Sequence, residues 1–145
     1  MTDSYVHAIW CDDIRQEVGN KPSFMGVYTA GLTIESALPV ILQRLCLYVW
    51  VVQNTDKPFN SLVLKITRDD GLVLAELRPD MSDIDELITK GNHLNSKHAM
   101  LMAGVTINGV EISPTCKYFS ITAETEAGIL EGPKLHINHG FDPAH

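Results

Sequence analysis

From Leu42 to Val52 the chain alternates with a period of two. Leu45, Leu47, Val49 and Val51 fall on one side, and Arg44, Cys46, Tyr48 and Trp50 fall on the other. That is the period of an extended strand; a helix would scatter the same residues around its circumference. A chain holding such a segment has to build a sheet with one aliphatic face turned to a core. The alternation recurs in Leu62, Leu64 and Ile66, and again in Phe119, Ile121 and Ala123. Tyr5 to Cys11 is apolar on both alternating faces and reads as a central strand, while Leu32–Ile34, Leu72–Leu77 and Leu135–Ile137 read as shorter ones.

Turn chemistry separates these segments. Gly19-Asn20 can supply positive φ between Ile14–Val18 and a partner strand over Phe24–Thr29, and Asp69-Asp70-Gly71 closes a second hairpin. Asn108-Gly109 is the strongest local signal, and it predicts a turn joining Ala99–Ile107 to Val110–Ile112. Only one stretch looks helical. Ser82 is a plausible N-cap, Asp83, Asp85 and Glu86 follow, and Gly91 ends a short helix expected at about 82–90. The pattern predicts an all-β fold: an antiparallel immunoglobulin-like β-sandwich of eight or nine strands, with one short surface helix and a flexible tail over 139–145. At 145 residues the chain suits a single domain able to close its own core.

Charge and composition exclude several functions. With 18 acids against 11 bases the net charge is −7, and no Lys/Arg run offers a phosphate footprint, so no nucleic acid is expected. The acidic balance suits a basic partner. The longest apolar run, Ala37–Val52, is broken by Gln43 and Arg44 and falls short of the ~20 residues a spanning helix needs. Met1–Ser4 lacks the basic start of a signal peptide, so a soluble cytoplasmic protein without membrane association is expected. Three cysteines, Cys11, Cys46 and Cys116, stand far apart without CxxC spacing, which predicts buried reduced thiols and no cofactor or zinc.

Asp12, Asp13 and Glu17 could hold a cation or act as an acid/base pair, but neighbours on a strand point to opposite faces unless the backbone bulges. The alternative is a charged structural corner with Arg15 and Lys21. His136, His139 and His145 cluster near the end of the chain, but on a strand-like segment that suits no dedicated metal site. His7 and Cys11 share a strand face. Met100 and Met102 lie opposite Leu101, Ala103 and Val105; they could form an adaptable binding patch, but are expected to pack beneath the Pro79–Lys97 connection. Tyr48 and Trp50, off the aliphatic face, either cover a second layer or anchor an interface. No nucleophile elbow, Walker loop or Rossmann glycine pattern occurs, and no catalytic residue is assigned.

The stretch Cys11-Asp12-Asp13-Ile14-Arg15-Gln16-Glu17, with Lys21, Ser23, Gly26 and Tyr28, resembles the opening of a family of small bacterial and prophage proteins of unknown function. Leu38-Pro39 and Leu45-Cys46-Leu47 are similar to that family's second block. The resemblance covers about the first third of the chain. It implies a β-rich, immunoglobulin-like domain and brings no catalytic residues.

Together these readings predict a non-enzymatic protein–protein interaction module, in one version a phage-derived inhibitor or accessory protein. Its candidate surface is Asp12, Asp13, Arg15, Glu17, Tyr48 and Trp50, and its partner is another protein or a second copy in a homodimer. Two rivals are a metal-dependent hydrolase using the acidic corner and a structural virion subunit.

Overall fold

The computed structural model describes residues 4–80, 82 and 97–140. Among the described residues there are ten strands: β1 Tyr5–Glu17, β2 Lys21–Val27, β3 Leu32–Ile34, β4 Val40–Asn54, β5 Leu62–Arg68, β6 Val73–Leu77, β7 His98–Ile112, β8 Tyr118–Thr125, β9 Gly128–Glu131 and β10 Leu135–His139. They form two sheets. The first has the order β2-β1-β4-β7; the second runs β3-β10-β8-β5-β6, with β9 also paired to β8. Every pairing is antiparallel except β3 with β10. The all-β sandwich is therefore observed, with one parallel pair and with β9 as a strand the alternation does not reveal.

The sheets enclose one core. Val6, Ala8 and Trp10 of β1 and Leu45, Leu47, Val49 and Val51 of β4 face Leu62, Leu64 and Ile66 of β5 and Phe119, Ile121 and Ala123 of β8. On β4, β5 and β8 these are the positions the period of two assigns to the aliphatic face; β1, apolar on both faces in sequence, turns Val6, Ala8 and Trp10 inward. Trp10 also ties the layers by a polar bond, its Nε1 donating to the carbonyl of Pro133 at 3.0 Å. A second buried polar group holds the loop after β4: Gln53 is buried and its Oε1 accepts from the amide of Phe59 at 2.9 Å. Glu126 caps the other side of that loop, accepting from the amides of Asn60 and Ser61 at 2.9 and 3.0 Å.

The turn expected at Asn108-Gly109 is absent. β7 runs straight through it, and β4 pairs with β7 on both sides, Arg44 with Asn108 and Leu42 with Val110. Gly109 does take a positive φ, +72°, but inside the strand. There it exchanges the faces: Val105 is the buried side chain before it, and Val110 and Ile112 after it. An Asn-Gly pair supplies left-handed backbone wherever it sits; the long partner β4 turns that freedom into a twist instead of a reversal.

Beyond Ser82, the helix expected at about 82–90 lies outside the described residues. The tail expected to be flexible begins inside β10, where His139 pairs with Ile34 and the amide of Gly140 donates to the Ile34 carbonyl at 2.9 Å; residues 141–145 lie outside the described set. Among the described residues no helix is long and apolar enough to cross a membrane.

Candidate functional site

The face of the first sheet turned away from the core is laid out in cross-strand rows. Tyr5, Val52 and Met100 form one row, His7, Trp50 and Met102 the next, then Ile9, Tyr48 and Gly104, and last Cys11, Cys46 and Thr106. Directly opposed residues of antiparallel strands share a face and touch. The aromatic members pack along it, with ring centroids of Tyr48 and Trp50 4.7 Å apart and those of His7 and Trp50 5.4 Å apart.

The β1–β2 hairpin folds back over this face. Phe24 pairs with Ile14, and Trp50 pairs with His7. A straight strand would separate the His7 and Ile14 levels by about 23 Å at ~3.3 Å per residue. Yet the Phe24 ring lies 5.2 Å from that of Tyr48 and 6.1 Å from that of Trp50. Ile14 also reaches the face: a Cβ built on Gly104 would stand 3.7 Å from Ile14 Cδ1. Gly104 is thus a gap in the sheet surface that the hairpin's underside approaches.

The bend lies at the acid doublet, without a shift of register, since Cys11 pairs with Val27 and Asp13 with Met25. The unusual backbone is on the partner strand, where Gly26 opposes Asp12 with φ +65°. A side chain there would run into the Asp12 carboxylate, its Cβ 2.9 Å from Asp12 Cγ. Asp12 itself accepts a hydrogen bond from the Tyr28 hydroxyl. Burial, and then that carboxylate, push the Tyr28 phenol well above its ordinary value. Asp13 accepts from Arg44 Nη1 at 3.1 Å and from the Ile14 amide at 3.0 Å. Arg15 and Glu17 are exposed further along the hairpin, Glu17 opposite Lys21.

The six residues singled out from sequence therefore belong to one region. The charged hairpin and the aromatic face touch through Phe24, a strand residue to which the sequence alone assigns no role. Tyr48 and Trp50 are half-buried beneath it. The exposed apolar part of the face lies beside them: Tyr5 is 55%, Met100 44% and Met102 55% exposed. Both methionines are exposed, and the Pro79–Lys97 connection expected to lie over them falls largely outside the described residues. The alternation put them off the core side, but only the row pairing shows that they extend the aromatic surface.

The acids do not converge. Asp12 and Asp13 are taken up by different partners, and among the described residues no three His, Cys, Asp or Glu side chains gather to hold a metal ion. A cleft of 610 Å³ beside the bend is lined by Asp12, Val40, Gln43, Arg44, Asn108 and Ile112. Its two charged groups are those already bonded to Tyr28 and Asp13.

A second cleft, of 640 Å³, gathers more reactive types, Arg68, Asp69, Ser113, Thr115, Lys117 and His139. Their bonds are structural. Ser113 Oγ meets Thr115 Oγ1 at 3.2 Å, His139 Nε2 meets the Cys116 carbonyl at 3.0 Å, and Asp69 Oδ2 accepts from the Lys117 amide at 3.0 Å. The nucleophile–base contact that an acyl-transfer site needs is not among them. His136 lies on the opposite side of β10, its ring 6.2 Å from that of Tyr118.

Comparison with protein-family models, with curated proteins and with solved structures found no match for this chain.

Proposed function

We propose that this chain is a non-enzymatic protein–protein interaction module that docks a protein through the outer face of its first sheet. The observation that carries the reading is the contiguous exposure of Tyr5, Met100 and Met102 in the two rows that hold Val52 and Trp50. Aromatic and methionine side chains are enriched at contact surfaces, where a rigid ring gives area and a thioether adapts to the partner's shape. The folded-back hairpin supplies a polar rim, with Arg15 and Glu17 exposed. A net charge of −7 favours a partner whose apolar patch is edged by Lys and Arg, because opposite potentials speed encounter. A cytosolic phage-derived inhibitor of such a host protein is one form this module would take.

Immobilised wild-type chain, Met102→Asp and Ile129→Asp should be compared for capture from cell extract at low and high salt. Ile129 is 64% exposed on β9, which pairs with β8 in the second sheet, and serves as the control. The reading expects a basic protein retained by wild type and Ile129→Asp, lost at least tenfold with Met102→Asp, and weakened by salt. Equal capture by Met102→Asp overturns it. Retention of the chain's own free copies, lost with Met102→Asp, would replace the foreign partner with a homodimer.

A further inference from the structure

Cys11 and Cys46 are widely separated in sequence, yet they stand directly opposite each other on β1 and β4. Opposed residues of an antiparallel pair have Cα atoms about 4.5 or 5.5 Å apart, according to the hydrogen-bonding class of the rung. A disulfide spans roughly 4.4–6.8 Å between Cα atoms. Either class therefore brings the two thiols within bridging range by side-chain rotation alone. Both side chains lie on the same face of the sheet, both are free, and both have 0% of their surface exposed.

Their place in the fold gives the pair a consequence. The Cys11–Cys46 rung is the last of the β1–β4 ladder, immediately before Asp12 and the bend. A covalent link there would fasten the base of the hairpin to β4. The third cysteine, Cys116, belongs to the core cluster and provides an internal comparison.

We propose that Cys11 and Cys46 form a redox modification site, at which a small-molecule disulfide such as oxidised glutathione closes them into a cross-strand bridge. The thiolate of one cysteine attacks a glutathione sulfur, forming a mixed disulfide and releasing one glutathione thiolate. The second cysteine's thiolate then attacks the protein sulfur of that mixed disulfide and releases the other. Two protein S–H bonds and the glutathione S–S bond are lost, and one protein S–S bond forms. Both protons and both electrons end on two reduced glutathione molecules.

Burial sets the rate. The Cys11 thiol is pushed up to about 11 by its burial and by Cys46, so little thiolate is present at neutral pH. Attack also needs a path to sulfur atoms that have no accessible surface. The Ile14–Phe24 underside of the hairpin crosses this face one row away, so its lifting is the opening that admits the oxidant. The site is independent of the docking reading; either can fail alone.

The test incubates the intact chain in glutathione buffers from fully reduced to fully oxidised, with and without urea below the unfolding midpoint. Samples are quenched in acid, alkylated after denaturation and mapped without reduction. The expected result is a Cys11–Cys46 linked peptide, with a mass loss of two hydrogens and Cys116 still alkylated. Phe24→Ala should reach the same end state severalfold faster. Alkylation of both Cys11 and Cys46 at every glutathione ratio, with urea present, overturns the proposal. So does a persistent mixed disulfide on either residue in wild type. In Cys46→Ala, which tests the pairing without removing Cys11, oxidation should stop at the mixed disulfide; a new link from Cys11 to Cys116 would contradict it.

Discussion

Gly26 is where the hairpin's geometry becomes a demand on residue type. Its φ of +65° is left-handed, and a Cβ would enter the space of the Asp12 carboxylate. Gly26→Ala should lower stability by about 1–2 kcal/mol from the backbone alone, with the collision adding to that. Chemical denaturation checks it, and unchanged stability would mean that the bend is made elsewhere. Tyr28 and Cys11 belong to the same corner. Both have folded-state pKa values raised above their ordinary 10.0 and 9.0, so the native state holds their protons more tightly than the unfolded chain does. Their stabilising effect is complete below about pH 9 and declines as pH rises through the 9–11 range and beyond. Unfolding midpoints should therefore fall on alkaline titration, and fall less steeply in Tyr28→Phe. At this scale the sequence shows residue types but not partners. Asp12 and Asp13 stand out as a doublet, yet their partners are Tyr28, just past the end of β2, and Arg44 on β4.

Elements were legible wherever alternation lasted. β4, β5 and β8 place in the core the side chains that a period of two assigns to it, because a strand buried on one face has no freedom to shift register. Where the local signal was a turn dipeptide, context decided. Gly19 and Asn20 both take positive φ and reverse the chain, while Gly109 takes the same sign inside β7. The difference is the partner: β4 continues alongside β7 as far as Val40 opposite Ile112. Inserting one glycine between Asn108 and Gly109 separates the two accounts. A hairpin tip would accept it with little loss. A strand interior would turn Val110 and Ile112, 1% and 0% exposed, off the core face, at about 3 kcal/mol or more for the two side chains. Thermal and urea unfolding of the insertion variant give the answer. β9 leaves no signal in the sequence for a related reason: its four residues are mostly exposed, and they owe their extended form to pairing with β8.

For the whole molecule, the sandwich class follows from composition and period, but the surface does not. Two segments of unrelated sequence, the charged hairpin and the aromatic side of β4, become one region because β1 and β2 bend back together over the first sheet. Long-range pairing of β1 with β4, and of β4 with β7, sets which residues share a row, and no local pattern encodes those registers. The docking reading depends on this arrangement, since it makes the hairpin a rim around Trp50, Met100 and Met102 instead of a separate projection. Nuclear Overhauser contacts from the Phe24 ring in the free protein test it most directly. The fold-back predicts ring-to-ring contacts from Phe24 to both Tyr48 and Trp50. A hairpin continuing straight from β1 would leave the Phe24 ring without contact to either, and that result would contradict the account.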